Sequence, residues 1–288
     1  MSITMPPEQL AQVGRRGRLK LAFERRGRRT VQTGASATSP WHVFPPSELD
    51  ESGCAYVWLV NPSGGLVGGD RISLEAGLAA GSHVLFTTPS ATRVYRTEQA
   101  PVEQEIRLSV GPDARLEWLP DVTIPFAGSK LRQTFRVDLA EGATALVWDA
   151  MASGRVARDE RWSFASFANE IRITTASGAS VVERFRLEPS STDDAWSLAS
   201  DWDYVASAFV IGDRVPAEVW SGLEDTLASV LDRWPGRILG GLSEPAAPGL
   251  ALKMLARSAP DLTAALEEVW RLVRSHLWRL PAVSLRRY

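Results

Sequence analysis

Residues 71–88, RISLEAGLAAGSHVLFTT, contain the pattern that decides the fold. Ile72 and Leu74 begin an alternation of apolar and polar residues, and Gly81 separates it from the apolar run at 83–88. Alternation with a period of two is typical of a β-strand with one buried face, and glycine is typical of the turn that follows. The stretch therefore predicts two strands joined by a glycine turn.

The same unit occurs three more times along the chain. Its turns lie around Gly111, Gly142 and Gly178, so they recur about every 30 to 36 residues. A single hairpin is marginally stable, whereas stacked units bury the apolar faces of their neighbours. We therefore predict a mainly β fold of stacked antiparallel β-hairpins in a β-helix-like arrangement.

The C-terminal third changes to helical spacing. Leu223 and Leu227 follow Pro216 at intervals typical of a helix, and Leu266 belongs to a second apolar stripe that begins near Asp261. Proline is favoured in the first turn of a helix, where its missing N–H costs least. We expect a small α+β part with two helices and three short strands, at residues 204–211, 237–242 and 249–256.

These patterns suggest where the chain divides. We expect a loose N-terminus at residues 1–14, a β-rich domain at 15–190 and an α+β part at 195–288 that packs on it. Residues 190–194 are the best candidate for the linker, and they are too few for the two parts to move independently.

Composition and charge exclude several classes of protein. The chain has 288 residues, a formal net charge of −2 and one cysteine, Cys54. Nucleic-acid binding is not expected because phosphate recognition needs a clear basic excess, and the arginines of residues 15–29 flank an alternating strand. One cysteine cannot form an intramolecular disulfide, and neither a signal peptide nor a membrane span is recognisable. We therefore expect a cytoplasmic protein.

The residues of an assembled active site are missing. The glycine-rich segment 61–70, NPSGGLVGGD, lacks the Gly-Lys-Ser/Thr ending of a P-loop, and there is no G-x-S-x-G sequence. The three histidines His42, His83 and His276 are far apart and accompany one cysteine, so a closed metal site is not expected. The chain is predicted not to be an enzyme and to hold no tightly bound cofactor.

Two acidic residues are predicted to point inward. Glu183 shares its strand face with Val181 and Phe185, and Asp149 lies in the run 145–151, which is apolar on both faces. An isolated buried carboxylate costs several kcal/mol unless it is compensated. Either each acid pairs with an arginine, or both line a water-filled internal passage. The sequence alone leaves both possibilities open.

The eleven tryptophans suggest one further function, a carbohydrate-binding β module. Such a module needs several tryptophans on one exposed face. Trp58, Trp118 and Trp148 instead lie within apolar runs, which favours a role in core packing.

Several segments, in order, resemble one known family. Residues 61–70 match a pattern N-P-x-G-G-x-V-G-G-D, residues 87–96 match T-x-P-x-A-(S/T)-(K/R)-x-Y-R, and residues 116–120 read L-E-W-L-P. Residues 124–128 and 182–184 add weaker matches. Together they are similar to the UreD (UreH) family of urease accessory proteins, over roughly residues 15 to 190.

The resemblance implies a β-rich, cytoplasmic, non-catalytic scaffold. Members of the family bind the accessory protein UreF, recruit the GTPase UreG and dock on apo-urease. Nickel is thought to pass through an internal tunnel to the urease active site, so Ni²⁺ would be cargo in transit. The positions that match tunnel-lining residues of the family are Asp70, Thr92, Asp149 and Glu183, of which Asp149 and Glu183 were already predicted to point inward.

Overall fold

The computed structural model describes residues 16–98, 100–189, 201–281 and 283–285. The predicted loose N-terminus at 1–14 and the predicted linker at 190–194 lie outside these ranges, and the division into domains stays a prediction. The described strands are β1 (Arg16–Arg26), β2 (Arg29–Ala37), β3 (Ala55–Trp58), β4 (Arg71–Leu78), β5 (His83–Thr87), β6 (Thr92–Val94), β7 (Val102–Val110), β8 (Arg115–Leu119), β9 (Thr123–Pro125), β10 (Lys130–Leu139), β11 (Thr144–Ala152), β12 (Ser166–Thr174), β13 (Ser180–Leu187), β14 (Tyr204–Gly212), β15 (Ile238–Ser243) and β16 (Gly249–Ala256).

The mainly β, β-helix-like fold class with two C-terminal helices is confirmed. The strands form two facing sheets, a seven-stranded sheet ordered β13-β12-β10-β7-β4-β1-β2 and a nine-stranded sheet ordered β15-β16-β14-β11-β8-β5-β3, to which β6 and β9 also belong. The inward faces of both sheets supply one large apolar core, built from residues such as Leu74, Ile106, Phe135, Val147 and Ile171.

The prediction of antiparallel hairpins is wrong for three of the four repeated units. The turn after β4 carries the chain across to β5 in the other sheet, and the turns after β7 and β10 do the same. Each strand therefore pairs in parallel with the equivalent strand of the next unit, as β4 does with β7 and β5 with β8. The turns also stack, because the Gly111 amide donates to the Leu78 carbonyl over 2.8 Å. Only the fourth unit is an antiparallel hairpin, of β12 with β13.

The alternation of apolar and polar residues in β1 gives the strand one buried face and one exposed face, as expected. Along β1, Leu19, Leu21 and Phe23 are buried, whereas Lys20 and the flanking arginines of the strand are exposed. The arginine-dense segment is thus the solvated face of an outer sheet surface, as predicted.

Two helices cover the outer face of the nine-stranded sheet. Helix α1 (Ala217–Leu231) begins directly after Pro216, and helix α2 (Ala259–Trp278) begins after Ser258, whose hydroxyl accepts a hydrogen bond from the Asp261 amide. Strand β14 pairs antiparallel with β11 over nine residues, so the C-terminal elements continue the sheet. Neither of these helices is long and apolar enough to cross a membrane.

Candidate functional site

A cavity of about 130 Å³ opens between the two sheets beside the glycine-rich segment. Strands of both sheets and the connections around β6 and β9 contribute to its wall. Its polar lining includes Asn61, Thr88, Ser90, Thr92, Gln104, Asp121, Thr123, Gln133 and Asp149. Two of the four predicted site residues, Thr92 and Asp149, therefore line the same cavity.

The glycine-rich segment forms one wall of this cavity and is fixed to β6. The Leu66 amide donates to the Arg93 carbonyl, and the Tyr95 amide donates to the Leu66 carbonyl, both over 2.8 Å. A side chain on Gly65 would lie 2.5 Å from the Tyr95 ring and 2.8 Å from the Arg93 carbonyl oxygen, at a φ of +156°. Glycine is therefore required here by close backbone approach, a reason that the composition of the segment did not reveal.

Asp70 has a different position from the other predicted site residues. It is buried and is not among the residues that line the cavity. Its carboxylate accepts a hydrogen bond of 2.9 Å from the Val67 amide, while its own amide donates to the Val67 carbonyl. These contacts close the end of the glycine-rich segment, so Asp70 shapes the wall of the cavity.

Asp149 lies deep between the sheets and is held by two amide side chains. The Gln133 amide donates to one carboxylate oxygen over 3.0 Å, and the Asn169 amide donates to the other over 2.8 Å. The pKa of Asp149 is raised to about 6, mainly by burial and to a smaller extent by the nearby Glu183, while the hydrogen bonds from the two amides oppose the shift. Asp149 nevertheless contributes to the lining of the cavity, and the residue as a whole is only partly buried.

Glu183 is buried on the inner face of β13, as its strand parity predicted. One carboxylate oxygen accepts a hydrogen bond of 2.7 Å from the Ser207 hydroxyl, and the other forms an ion pair with Lys253. Neither Asp149 nor Glu183 pairs with an arginine in the described part of the chain. The arginine-pairing possibility therefore does not describe either acid.

Sheet register places these polar groups in facing rows. On the seven-stranded sheet Gln104, Gln133 and Asn169 are directly opposite one another on adjacent strands. On the nine-stranded sheet Asp149 lies opposite Ser207, which lies opposite Lys253. We call Gln104, Gln133, Asn169, Asp149, Ser207 and Glu183 the interior polar row. It leads from the cavity to Lys253, whose side chain is 67% exposed.

A second polar cluster, which the sequence did not predict, lies between the nine-stranded sheet and α2. We call it the buried ionic cluster; its members are Asp50, Cys54, Tyr56, His83, Glu117, Trp270 and Arg274. The sequence did not reveal it because its members are up to 224 residues apart along the chain. One signal was present, because Arg274 follows Trp270 by four residues and so shares the buried face of its helix.

Ion pairs and hydrogen bonds connect the members of the buried ionic cluster. Glu117 accepts from the His83 ring over 2.6 Å and also from the Trp270 indole. Arg274, which is fully buried, donates to Asp50 over 2.9 Å and to the Tyr56 hydroxyl over 2.7 Å.

Three potential metal ligands meet in this cluster, because atoms of Cys54, His83 and Glu117 lie within 4.8 Å of one another. Their separation along the sequence therefore did not predict their separation in the folded protein. Burial, however, raises the pKa of the Cys54 thiol well above its usual range, and a thiol binds metal as thiolate. The neighbouring Arg274 guanidinium already supplies positive charge. We therefore interpret the cluster as a structural link between α2 and the sheet.

Comparison with known proteins identifies the family. A family model described as UreD urease accessory protein matches residues 15–287. The chain is 32% identical over 291 residues to urease accessory protein UreD 2 of Streptomyces griseus subsp. griseus, covering 99% of this chain and 97% of that relative. It is 32% identical to UreD of Delftia acidovorans, covering 90% and 89%, and 36% identical to UreD of Deinococcus radiodurans, covering 72% and 75%. Because the similarity extends over nearly its whole length, this chain belongs to the UreD family of urease accessory proteins.

Proposed function

We propose that this chain is a non-catalytic scaffold of urease maturation and that Ni²⁺ moves along its interior polar row toward apo-urease. The observation that supports the proposal most is that row itself. Apolar side chains make up most of the space between the two sheets, yet three adjacent strands of each sheet have a polar residue at the same register position, and Glu183 lies beside them. Buried polar groups cost stability unless they are hydrogen-bonded or paired, and the same carboxylate, amide and hydroxyl groups that compensate one another here can also bind water or an ion.

The chemistry of the row suits a cation in transit. Carboxylate, amide and hydroxyl oxygens bind a borderline transition metal weakly, and water can replace them. A passage needs sites that attract an ion without retaining it. Asp149 and Glu183 supply the negative charge, while Gln133, Asn169 and Ser207 supply neutral oxygens. Thr92 lies in the cavity wall, where it would contact an ion near the glycine-rich segment.

The family membership suggests the partners. Within this proposal the chain binds UreF, and the complex recruits UreG and docks on apo-urease in the cytoplasm. No described tryptophan is fully exposed, so the alternative of a carbohydrate-binding module has no exposed tryptophan face to support it within the described ranges. The proposal therefore assigns the chain a role in metal delivery.

The test measures two properties separately: formation of the complexes with urease and the other accessory proteins, and the nickel content of urease. Asp149→Asn and Glu183→Gln keep side-chain size and remove charge, and Asp138→Asn does the same on the exposed outer face of β10. Each variant is co-expressed with urease and the other accessory proteins. We expect all three to form complexes, whereas the two interior variants lower the nickel content and activity of urease severalfold.

Two results would contradict this proposal. If urease matured with the interior variants contained as much nickel as with Asp138→Asn, the row would not conduct nickel. If the interior variants lost the fold or the complexes, and nickel content fell only in proportion, the two acids would have a structural role alone.

A further inference from the structure

Lys253 has an unusual position relative to the interior polar row. Its ammonium forms the ion pair with Glu183, whose side chain is only 9% exposed, yet the lysine side chain itself is 67% exposed. It therefore reaches from solvent to a carboxylate at the end of the row. A lysine of this kind neutralises a buried charge without being buried itself.

Register fixes how close Lys253 lies to the rest of the row. Asp149, Ser207 and Lys253 occupy directly opposite positions on β11, β14 and β16. Adjacent strands are about 4.8 Å apart, so the backbone positions of Asp149 and Lys253 are separated by roughly 10 Å. Ser207 lies between them and donates to Glu183, which places both acids and the ammonium in one connected set.

We propose that the Lys253 ammonium is a tethered cation that occupies the Glu183 end of the row and that a divalent cation in transit displaces it. The inference rests on the proposed function and adds a residue that determines selectivity. Monovalent ions offer Glu183 no more charge than the ammonium already provides. A divalent ion offers twice the charge, so it can replace Lys253 where Na⁺ or K⁺ cannot.

The properties of lysine suit this exchange. Its charge is compact and its stem is flexible, so the head group can leave Glu183 and become hydrated at small cost. An arginine at this position would hold the carboxylate through a planar, bidentate contact and would be harder to displace. When the cation leaves, the ammonium can return, so Glu183 is never left as an uncompensated buried charge.

Nickel binding to the full-length chain provides the first test. Titration with NiCl₂ in a constant salt background is compared for the wild type, Lys253→Met, Lys253→Arg and Glu183→Gln. The matched control is Lys20→Met, which removes an exposed ion pair with Glu75 on the other sheet. The part of the binding that Glu183→Gln abolishes is taken as binding in the row.

We expect Lys253→Met to bind Ni²⁺ in the row about threefold to tenfold more tightly, because the competing ion pair is partly exposed and so of modest strength. Lys253→Arg should bind no more tightly than the wild type, and Lys20→Met should be unchanged. Lys253→Met removes the ion pair of buried Glu183 and should lower the unfolding temperature, but Glu183 keeps its hydrogen bond from Ser207 and Lys253 itself is largely exposed, so the fold should persist; a thermal unfolding curve checks this.

Lysine acetylation provides a second test that does not depend on urease. The chain contains three lysines, Lys20, Lys130 and Lys253, so the rate at each can be followed by mass spectrometry. Ni²⁺ should accelerate acetylation of Lys253 alone, whereas added NaCl at matched ionic strength should not. In Glu183→Gln, Lys253 should react quickly from the start and should not respond to Ni²⁺.

The outcomes distinguish this inference from the proposed function. If Glu183→Gln weakens Ni²⁺ binding but neither the affinity of Lys253→Met nor the Lys253 acetylation rate changes, the displacement of Lys253 is refuted and the passage stands. If Glu183→Gln leaves Ni²⁺ binding unchanged, the passage itself is refuted, and the role of Lys253 with it.

Discussion

Replacing Asp149 with asparagine should stabilise this protein at neutral pH. The pKa of Asp149 rises from an ordinary value of 3.8 to about 6, mainly because the carboxylate is buried. A difference of about two pKa units corresponds to about 3 kcal/mol, at 1.36 kcal/mol per unit. This is the free energy by which ionisation of Asp149 disfavours the folded state relative to the unfolded state above pH 6.

The sign of the pH dependence follows from the raised pKa. Between about pH 4 and pH 6 the folded protein holds a proton at Asp149 that the unfolded chain has lost. The contribution of Asp149 to the free energy of unfolding therefore falls as pH rises through this window. In Asp149→Asn that fall is absent. The variant should match the wild type near pH 4 and exceed it by about 1 to 3 kcal/mol at pH 7, where the lower figure allows for one rearranged amide hydrogen bond.

Urea unfolding followed by tryptophan fluorescence measures this difference at pH 5, 6 and 7. Asp138→Asn on the outer face of β10 is the control and should show no such pH-dependent gain. If Asp149→Asn were less stable than the wild type at pH 7, or if the difference did not grow with pH, the carboxylate would not be strained by burial. In that case its amide partners or bound water would compensate it fully.

Three further outcomes are expected. Arg274→Met should lower the free energy of unfolding by about 3–5 kcal/mol because it removes the buried guanidinium that pairs with Asp50 and lies 3.7 Å from buried Glu117, whereas Arg271→Met at an exposed ion pair should cost less than about 1 kcal/mol; equal losses in urea unfolding would contradict the structural role of the buried ionic cluster. Gly65→Ala should cost roughly 1–3 kcal/mol because the new methyl group meets Tyr95, whereas Gly77→Ala, which has open space, should be nearly neutral in the same assay. The purified chain should hydrolyse neither GTP nor urea, and hydrolysis that survives repurification and disappears with a substitution in this chain would show that it is an enzyme.

Local pattern was sufficient to predict much of the secondary structure. The alternation in β1 and β4 and the apolar stripes of α1 and α2 were recognisable because burial of one face follows directly from side-chain spacing. Parity also placed Glu183 on the inner face of β13, since every second residue of a strand points the same way. These features depend on near neighbours in the chain.

The partners of the inward acids were not predictable in the same way. Parity shows that Glu183 points inward, but Ser207 and Lys253 come from strands of the facing sheet, which approach β13 only in the folded protein. Asp149 likewise depends on Gln133 and Asn169, whose own strands belong to the facing sheet. A buried carboxylate can be compensated by a hydroxyl, an amide, an ammonium or a guanidinium group. The sequence contains all four, so it does not show which of them lies beside each acid.

By itself, the sequence determined the strands, the glycine turns, the inward direction of the acids and membership of the UreD family. The tertiary structure alone decided whether the strands on either side of a turn pair with each other or with the next unit. Both arrangements need the same alternation and the same glycine, so they differ only in contacts between distant residues. The same reason applies to the buried ionic cluster, where Glu117 and Arg274 meet because a sheet and a helix pack together.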